Sequence, residues 1–343
     1  MNGRSSKLRS SRKHRLSNWL VSLGVAATVA LAGATGLVVA TNTQLSAVRR
    51  DASALESLSP TNQEFENYLL VGSDSREGSD PTDPDYNNVG AATDIGGKRS
   101  DTLMVLHFVK KSGGLSLISI PRDLWVEIGN GSKSQRINTA YQIGTDVLIR
   151  TVQKALSVPI HHYIEIDFQG FKGLVDAVGG VTVCVDYPSR DRHTGLFLRA
   201  GCPRLDGVKA LAFARSRFFE SKIDGKWTID GTSDIGRTAR QRMFVTALLK
   251  SSVQHVADNP FGAGSVFAGA VDAVLVDETL NLLNFGRKMR PAVSGNIGSF
   301  PLPVYGDTVD GNSVLRLSKD AKEVLDFFAG VGPRPQAENE TTG

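Results

Sequence analysis

Arginine and aspartate recur together at short spacings along this chain, each time beside the end of a hydrophobic run. Gly72-Ser73-Asp74-Ser75-Arg76 follows one apolar run, Arg99-Ser100-Asp101-Thr102 precedes a second, and Pro121-Arg122-Asp123 follows a third. Arg215-Ser216-Arg217 closes a helical pattern, and Asp234-Ile235-Gly236-Arg237 opens another that continues through Arg240-Gln241. A guanidinium donates two parallel hydrogen bonds to neighbouring oxygens and keeps its charge, so arginine suits phosphate. Several converging arginines need several negative charges to offset them, which points to a pyrophosphate rather than one carboxylate. Aspartates in the same clusters suit a hard divalent cation, Mg2+ or Mn2+, shared with phosphate oxygens and water. Each cluster alone reads equally as a solvated ion pair; their joint placement at element boundaries favours a site. Arg237, Arg240 and Gln241 stand at i, i+3 and i+4 and share a helical face. That face is expected in the first turns, where backbone N–H groups and the helix dipole favour an anion.

The elements that must hold these residues follow from periodicity. Tyr68–Val71, Leu103–Val109 and Leu115–Ile120 read as buried strands, the last stopped by Pro121. Tyr163–Phe168 and Val181–Val185 are further strands. Helical spacing covers Asp146–Leu156, Phe168–Val178, Leu205–Ala214 and about Ile235–Val256, the last with a stripe of Phe244, Val245, Leu248, Leu249 and Val253. Strands interleaved with helices predict an α/β (α+β) domain around a central mixed sheet. Polar residues just past strand ends are where open sheets of this kind bind ligands. Gly179-Gly180 reads as a helix-to-strand turn, not a phosphate loop, since no Lys-Ser/Thr follows it.

The chain has 343 residues and a formal net charge of +4, with 39 basic against 35 acidic residues. Arg4, Lys7, Arg9, Arg12, Lys13 and Arg15 account for six of the bases; without them 33 bases face 35 acids, formally −2. The basic excess therefore belongs to a short tail, and nucleic acid is not expected as a partner. From Leu16 to Val48 no residue is charged. About 20 apolar residues cross a hydrocarbon core of about 30 Å, so residues 17–41 read as a transmembrane anchor. The preceding Lys and Arg, with Trp19 at the boundary, put residues 1–16 in the cytoplasm. A cleaved signal peptide ending near Val38-Val39-Ala40 is the alternative; both export the body. Residues 42–62 read as a juxtamembrane linker, 63–330 as the catalytic domain, and 331–343 as a frayed tail. Cys184 and Cys202, an even count in an exported domain, suggest a disulfide, with two buried thiols as the alternative.

In order, Leu69-Leu70-Val71-Gly72-Ser73-Asp74-Ser75-Arg76, Arg99-Ser100-Asp101-Thr102, Ser119-Ile120-Pro121-Arg122-Asp123 and Arg136-Ile137-Asn138-Thr139-Ala140-Tyr141 resemble the LytR–CpsA–Psr family of cell-wall glycopolymer ligases. His162–Phe168, Val175–Val181, Leu205-Asp206-Gly207, Ala214–Arg217 and Asp234–Gln241 continue the likeness across about residues 67–256. The family more often begins the fourth motif with Lys than with Arg136. The resemblance implies a phosphotransferase that moves a glycan phosphate from a polyprenyl-pyrophosphate carrier to peptidoglycan at the membrane. It implies Asp74 and Asp101 as Mg2+ ligands, and Arg99, Arg122, Arg215, Arg217, Arg237 and Gln241 on the pyrophosphate, with Arg76 and Arg240 beside them. Asp123 would orient Arg122. Asp74 or Asp101 is the expected base for a sugar hydroxyl, and with Arg122 they are the expected catalytic residues. The cysteine pair resembles actinobacterial members, whose acceptor chemistry attaches arabinogalactan.

A polyprenyl-pyrophosphate hydrolase would use the same site with water as acceptor. A non-enzymatic envelope regulator is a third reading, against which the near-neutral body argues. The polar insert Glu77–Lys98 reads as a lid, an acceptor surface or a tolerated loop. His161-His162 reads as structural, and Trp125 and Trp227 as either packing residues or sugar platforms.

Overall fold

The computed structural model describes residues 48–74, 85–86, 100–231, 233–258, 274–293 and 295–336. It opens with β1 (Arg49–Asp51), a 3-10 turn (Ala52–Ser57), β2 (Phe65–Ser73), β3 (Ser100–Val109) and β4 (Gly114–Ile120). The hairpin β5 (Trp125–Glu127) and β6 (Ser134–Arg136) leads to α1 (Asn138–Ile143), α2 (Thr145–Leu156), β7 (His162–Ile166) and α3 (Phe168–Ala177). Short strands β8 (Val181–Thr182), β9 (Ser189–Asp191), β10 (Leu196–Leu198) and β11 (Arg204–Leu205) precede α4 (Gly207–Arg215). Then come β12 (Glu220–Ile223), β13 (Lys226–Ile229), α5 (Ser233–Asp258), β14 (Val274–Asp277) and α6 (Leu282–Val293). Strand β15 (Gly298–Pro301), the hairpin β16 (Val304–Val309) and β17 (Asn312–Leu317), and α7 (Ala321–Phe328) complete it.

Seven strands form the main sheet in the order β1-β14-β7-β2-β3-β4-β15. Pairs β7–β2, β4–β15 and β1–β14 are parallel, whereas β14–β7, β2–β3 and β3–β4 are antiparallel. The predicted mixed sheet is therefore present. Its central strands are apolar on both faces because both are covered. Leu69, Val71, Leu103 and Val105 pack beneath α1, α2 and α7. Tyr68, Met104 and Leu106, the alternate residues, pack towards Val245, Leu249 and Val253 of α5 and Met289 of α6. A third cluster joins Val175 of α3, Val178 just past its end, Phe213 of α4 and Phe244 of α5.

Several boundaries differ from expectation. The strand expected over Tyr163–Phe168 ends at Ile166, because the Asp167 side chain accepts from Gly170 N and caps α3. Within Val181–Val185 only Val181–Thr182 is a strand, with Val185 in an isolated bridge to Gly201. Residues 42–62 are not a linker throughout: the folded unit begins at Val48. Arg49–Asp51 pairs with β14, and Arg50 donates to the carbonyls of Asp277, Glu278 and Leu280. Polar residues on an edge strand imitate a linker. At the other end the fold runs past residue 330, with Val331 N and Gly332 N donating to Asp326 O. Gly179 and Gly180 form the expected turn with φ of +74° and +95°. His161 and His162 are buried as expected, His161 Nδ1 accepting from Asn67 N at 2.8 Å and His162 facing Asp277. No helix among the described residues is long and apolar enough to cross a membrane; the expected anchor 17–41 lies outside them, as does residue 1–16.

Candidate functional site

One end of the main sheet gathers the close of β2, the start of β3, the close of β4 and the close of β7. Gly72 pairs with both Thr102 and Ile166, and Leu103 pairs with Ile120. Gly72 suits this convergence, since a Cβ there would lie only 3.0 Å from that of Thr102. The β2–β3 register then shifts: Gly72 faces Thr102 but Ser73 faces Ser100. Asp101 is thus the extra residue of a β-bulge, a device that turns a strand locally beside functional sites. Asp74 follows Ser73 directly, so the two expected metal ligands flank one bulge.

Aspartate is a hard oxygen donor, the type a divalent cation prefers. Among the described residues no three His, Cys, Asp or Glu come together as a metal cage. A cation held here would take its remaining ligands from water and phosphate oxygens, which is how Mg2+ is commonly bound. By residue type, Asp74 and Asp101 remain the expected holders of such a cation.

Behind the bulge lies a hydroxyl–carboxylate chain that sequence reasoning missed. The Ser73 and Tyr141 hydroxyls are 2.9 Å apart, and Tyr141 and Tyr163 each donate to Glu165 at 2.6 Å. Burial pushes both tyrosine hydroxyls well above their ordinary range, and the Glu165 charge adds to it. Both tyrosines therefore stay protonated and hold Glu165, which sits on β7 opposite Val71. Tyr141 belongs to a recognised motif, but its partner across the sheet was not legible from spacing.

A narrow pocket of about 60 Å³ opens at this sheet end. It is lined by Gly72, Ser73, Thr102, Ile166 and Asp167 from the sheet end and by Phe168, Phe171, Leu211, Ala214, Arg215, Arg237 and Gln241 from the helices and their ends. Arg237 is 2% exposed. The Arg215 guanidinium lies 4.7 Å over the Phe168 ring. Gln241 is fixed by donating to Ala214 O at 3.1 Å.

The other predicted residues are placed differently. Arg240 does not line this pocket; it donates to Asp230 at 2.8 Å and Ser216 O at 2.8 Å and lies over Phe219. Burial lowers its pKa and the Asp230 carboxylate opposes that shift. Its part is to brace the 215–217 turn. Helix α5 begins at Ser233, so Arg237, Arg240 and Gln241 lie beyond the exposed N–H groups of its first four residues. Any contact they make with an anion is therefore through their side chains rather than through the free N–H groups of the helix start. Arg217 is held through its backbone N–H, which donates to Asp191 at 3.1 Å. Arg122, just past β4, pairs with Asp123 at 3.6 Å, and Arg136 pairs with the same carboxylate at 3.3 Å. Arg76 and Arg99 lie outside the described residues.

Asp191 is the other residue that motif reading passed over. Its side chain is 0% exposed, and one oxygen accepts from Ser216 Oγ, Arg217 N and Phe218 N at 2.7, 3.1 and 2.9 Å. Burial raises its pKa, but the hydrogen bonds from Ser216, Phe218 and His193 outweigh this and hold it below the usual carboxylate range. Asp191 lies between Cys184 and Cys202, which form the expected disulfide. Within the insert, Asp85 makes a buried ion pair with Lys172 of α3 at 3.1 Å; its other residues, Tyr86 apart, lie outside the described ones.

A mixed α/β sheet with acidic residues at a bulge and arginines across a small pocket defines a candidate phosphate-handling domain. A family model described as the LytR_cpsA_psr family matches residues 35–326, and the chain belongs to that family. The probable cell wall biosynthesis protein LcpB of Corynebacterium glutamicum is 35% identical over 253 residues, covering 73% of this chain and 57% of the relative. A protein of Bacillus mycoides named polyisoprenyl-teichoic acid–peptidoglycan teichoic acid transferase TagU is 35% identical over 216 residues, 62% of this chain and 61% of that one. The chain thus spans less than two thirds of the length of either relative. Among solved structures, a LytR-Csp2A-Psr enzyme from Actinomyces oris superposes with a TM-score of 0.63 at 23% identity, covering 82% of this chain and 96% of its own. That likeness bears on the fold.

Proposed function

We propose that this protein is a phosphotransferase that moves a glycan phosphate from a polyprenyl-pyrophosphate carrier to peptidoglycan and releases polyprenyl phosphate. The observation that carries the reading is the pocket lined by Arg215, Arg237 and Gln241 together with Ser73, at the strand end leading to Asp74. The names of the relatives, a cell wall biosynthesis protein and a peptidoglycan teichoic acid transferase, support the donor and acceptor classes. The disulfide supports an exported domain, and we take arabinogalactan as the glycan. Residues 17–41 are proposed to anchor the chain by a single span, with residues 1–16 cytoplasmic and the catalytic domain outside.

In this reading Arg215, Arg237 and Gln241 bind the pyrophosphate oxygens, with Arg76, Arg99, Arg122 and Arg217 around them. Guanidinium groups fixed before the reaction stabilise charge as it develops on the transferring phosphoryl group, the largest contribution available to such sites. Asp74 and Asp101 would hold Mg2+, which would supply neutralisation of phosphate charge. Asp191, Arg240 and Asp230 hold the 215–217 turn so that its arginines are positioned without reorganisation. Either Asp74 or Asp101 takes the proton of the acceptor hydroxyl.

The test is transfer from a defined polyprenyl-pyrophosphate glycan, with Mg2+, to peptidoglycan or to water alone. Glycan attached to peptidoglycan with release of polyprenyl phosphate is expected. Release in water at the same rate, without attachment, would make the protein a hydrolase and overturn the reading.

A further inference from the structure

The fold builds a second, larger concavity, on the loop and hairpin that follow Arg122, that the proposed chemistry does not use. It is a surface groove of about 450 Å³, lined by Trp125, Glu127, Lys154, Tyr305 and Arg316 with aliphatic residues between them. Its size falls in the range of about 300–1,000 Å³ typical of ligand sites. Tyr305 is 53% exposed, although a large aromatic side chain is ordinarily covered.

We propose that this groove is a saccharide subsite that holds the acceptor glycan; the assignment rests on the transferase reading above. The first argument is chemical. A pyranose ring presents C–H groups on its faces, which pack on aromatic rings, and hydroxyls at its rim, which seek charged or polar partners. Trp125 and Tyr305 supply the rings. Lys154 and Glu127 form an ion pair at 2.7 Å, and Arg316 pairs with Asp307. The cations are thus locally balanced, so the groove offers directional donors and acceptors without the net positive field that a polyanion requires.

The second argument is position. Strand β15 runs parallel to β4, pairing Pro301 with Ser119, so the chain leaves for β16 at the sheet end where Arg122 stands. Trp125 follows Arg122 by three residues. Leu315 N donates to Asp123 O at 3.0 Å, and Arg136, which pairs with Trp125 across the hairpin, donates to Ser313 O at 3.0 Å. The groove walls are therefore tied to Asp123, the neighbour of Arg122, by a backbone bond and to the β5–β6 hairpin through the Arg136 side chain. An open groove of this kind suits an internal segment of a long chain, as the acceptor is, with a neighbouring hydroxyl led towards Arg122.

The full chain in detergent micelles, titrated with a tetrasaccharide of β-1,4-linked N-acetylglucosamine and followed by calorimetry, tests this. Saturable binding is expected, weakened at least tenfold by Trp125→Ala and by Tyr305→Ala and largely retained in Trp125→Phe. Tyr305→Ala alters an exposed side chain, so its result does not depend on a packed core position. No binding by the wild type, or equal binding by both alanine variants, would overturn the proposal. Stronger binding of an arabinofuranosyl oligosaccharide at the same residues would overturn it too, assigning the groove to the donor glycan. Binding of a polyprenyl pyrophosphate, measured in the same sample, reads the other site: its loss in the wild type, with tetrasaccharide binding intact, sinks the transferase reading instead.

Discussion

Asp123 carries two arginines, Arg122 and Arg136, and this sharing decides what the loss of either one costs. With Arg122→Ala, Asp123 keeps Arg136 as its partner at the protein surface, where an ion pair is worth about 0–1 kcal/mol. Transfer is expected to fall by at least a hundredfold while the urea midpoint barely moves; retained activity would remove Arg122 from the site. Asp191 behaves oppositely. Its alanine variant leaves Ser216 Oγ and the Arg217 and Phe218 N–H groups without their acceptor, at roughly 1–3 kcal/mol for each donor that stays buried and unsatisfied. Asp191→Ala is expected to lower both stability and affinity for a pyrophosphate probe, with Asp191→Asn recovering part of each because an amide oxygen still accepts. Equal pyrophosphate affinity in the alanine variant would limit Asp191 to a structural part. Arginine clusters were legible because their residue types are rare side by side; Asp191 was not, since one aspartate in a polar loop carries no mark of being buried.

At the scale of elements, strands covered on both faces were legible from unbroken apolar runs, as Leu103–Val109 shows. Edge strands were not, because β1 offers Arg49 and Arg50 to solvent and has no apolar period. The β16–β17 hairpin was likewise hidden by its exposed, polar alternation. The β-bulge at Asp101 was invisible, being a property of register between two strands rather than of either one. Between β8 and β11 the disulfide closes a segment with a sequence separation of 18 that carries β9, β10 and Asp191. The chain-entropy estimate gives about 3 kcal/mol for such a loop. Reduction, or Cys184→Ser with Cys202→Ser, is expected to cost stability of that order and to weaken pyrophosphate binding in parallel. Denaturant melts with and without reductant measure the first, and an unchanged melt would show that the segment is held by its packing alone.

Across the whole molecule, stability should depend on pH through histidines inside the fold. Burial lowers His107 and His161 from 6.5 to about 4. Between those values the unfolded chain binds protons that the folded one refuses, so stability is complete above pH 6.5 and declines as pH falls towards 4. Glu66 acts lower still: hydrogen bonds from Lys288, Tyr68 and Lys110 overcome its burial and bring it to about 2, so its contribution fades below pH 4.5. A melting temperature that falls steadily from pH 6.5 to 4.5, and falls less in His107→Asn, is expected; a flat profile would contradict it.

The main sheet ends on one side in three residues carrying Arg49 and Arg50, and on the other in four residues closed by Pro301. Short strands, exposed charge and a missing N–H donor are the features that deny an incoming strand a template. The consequence is colloidal: crowded copies of this domain meet no long, flat edge of the main sheet through which to zip together, and concentrated protein should not aggregate in amyloid-like fashion through that sheet.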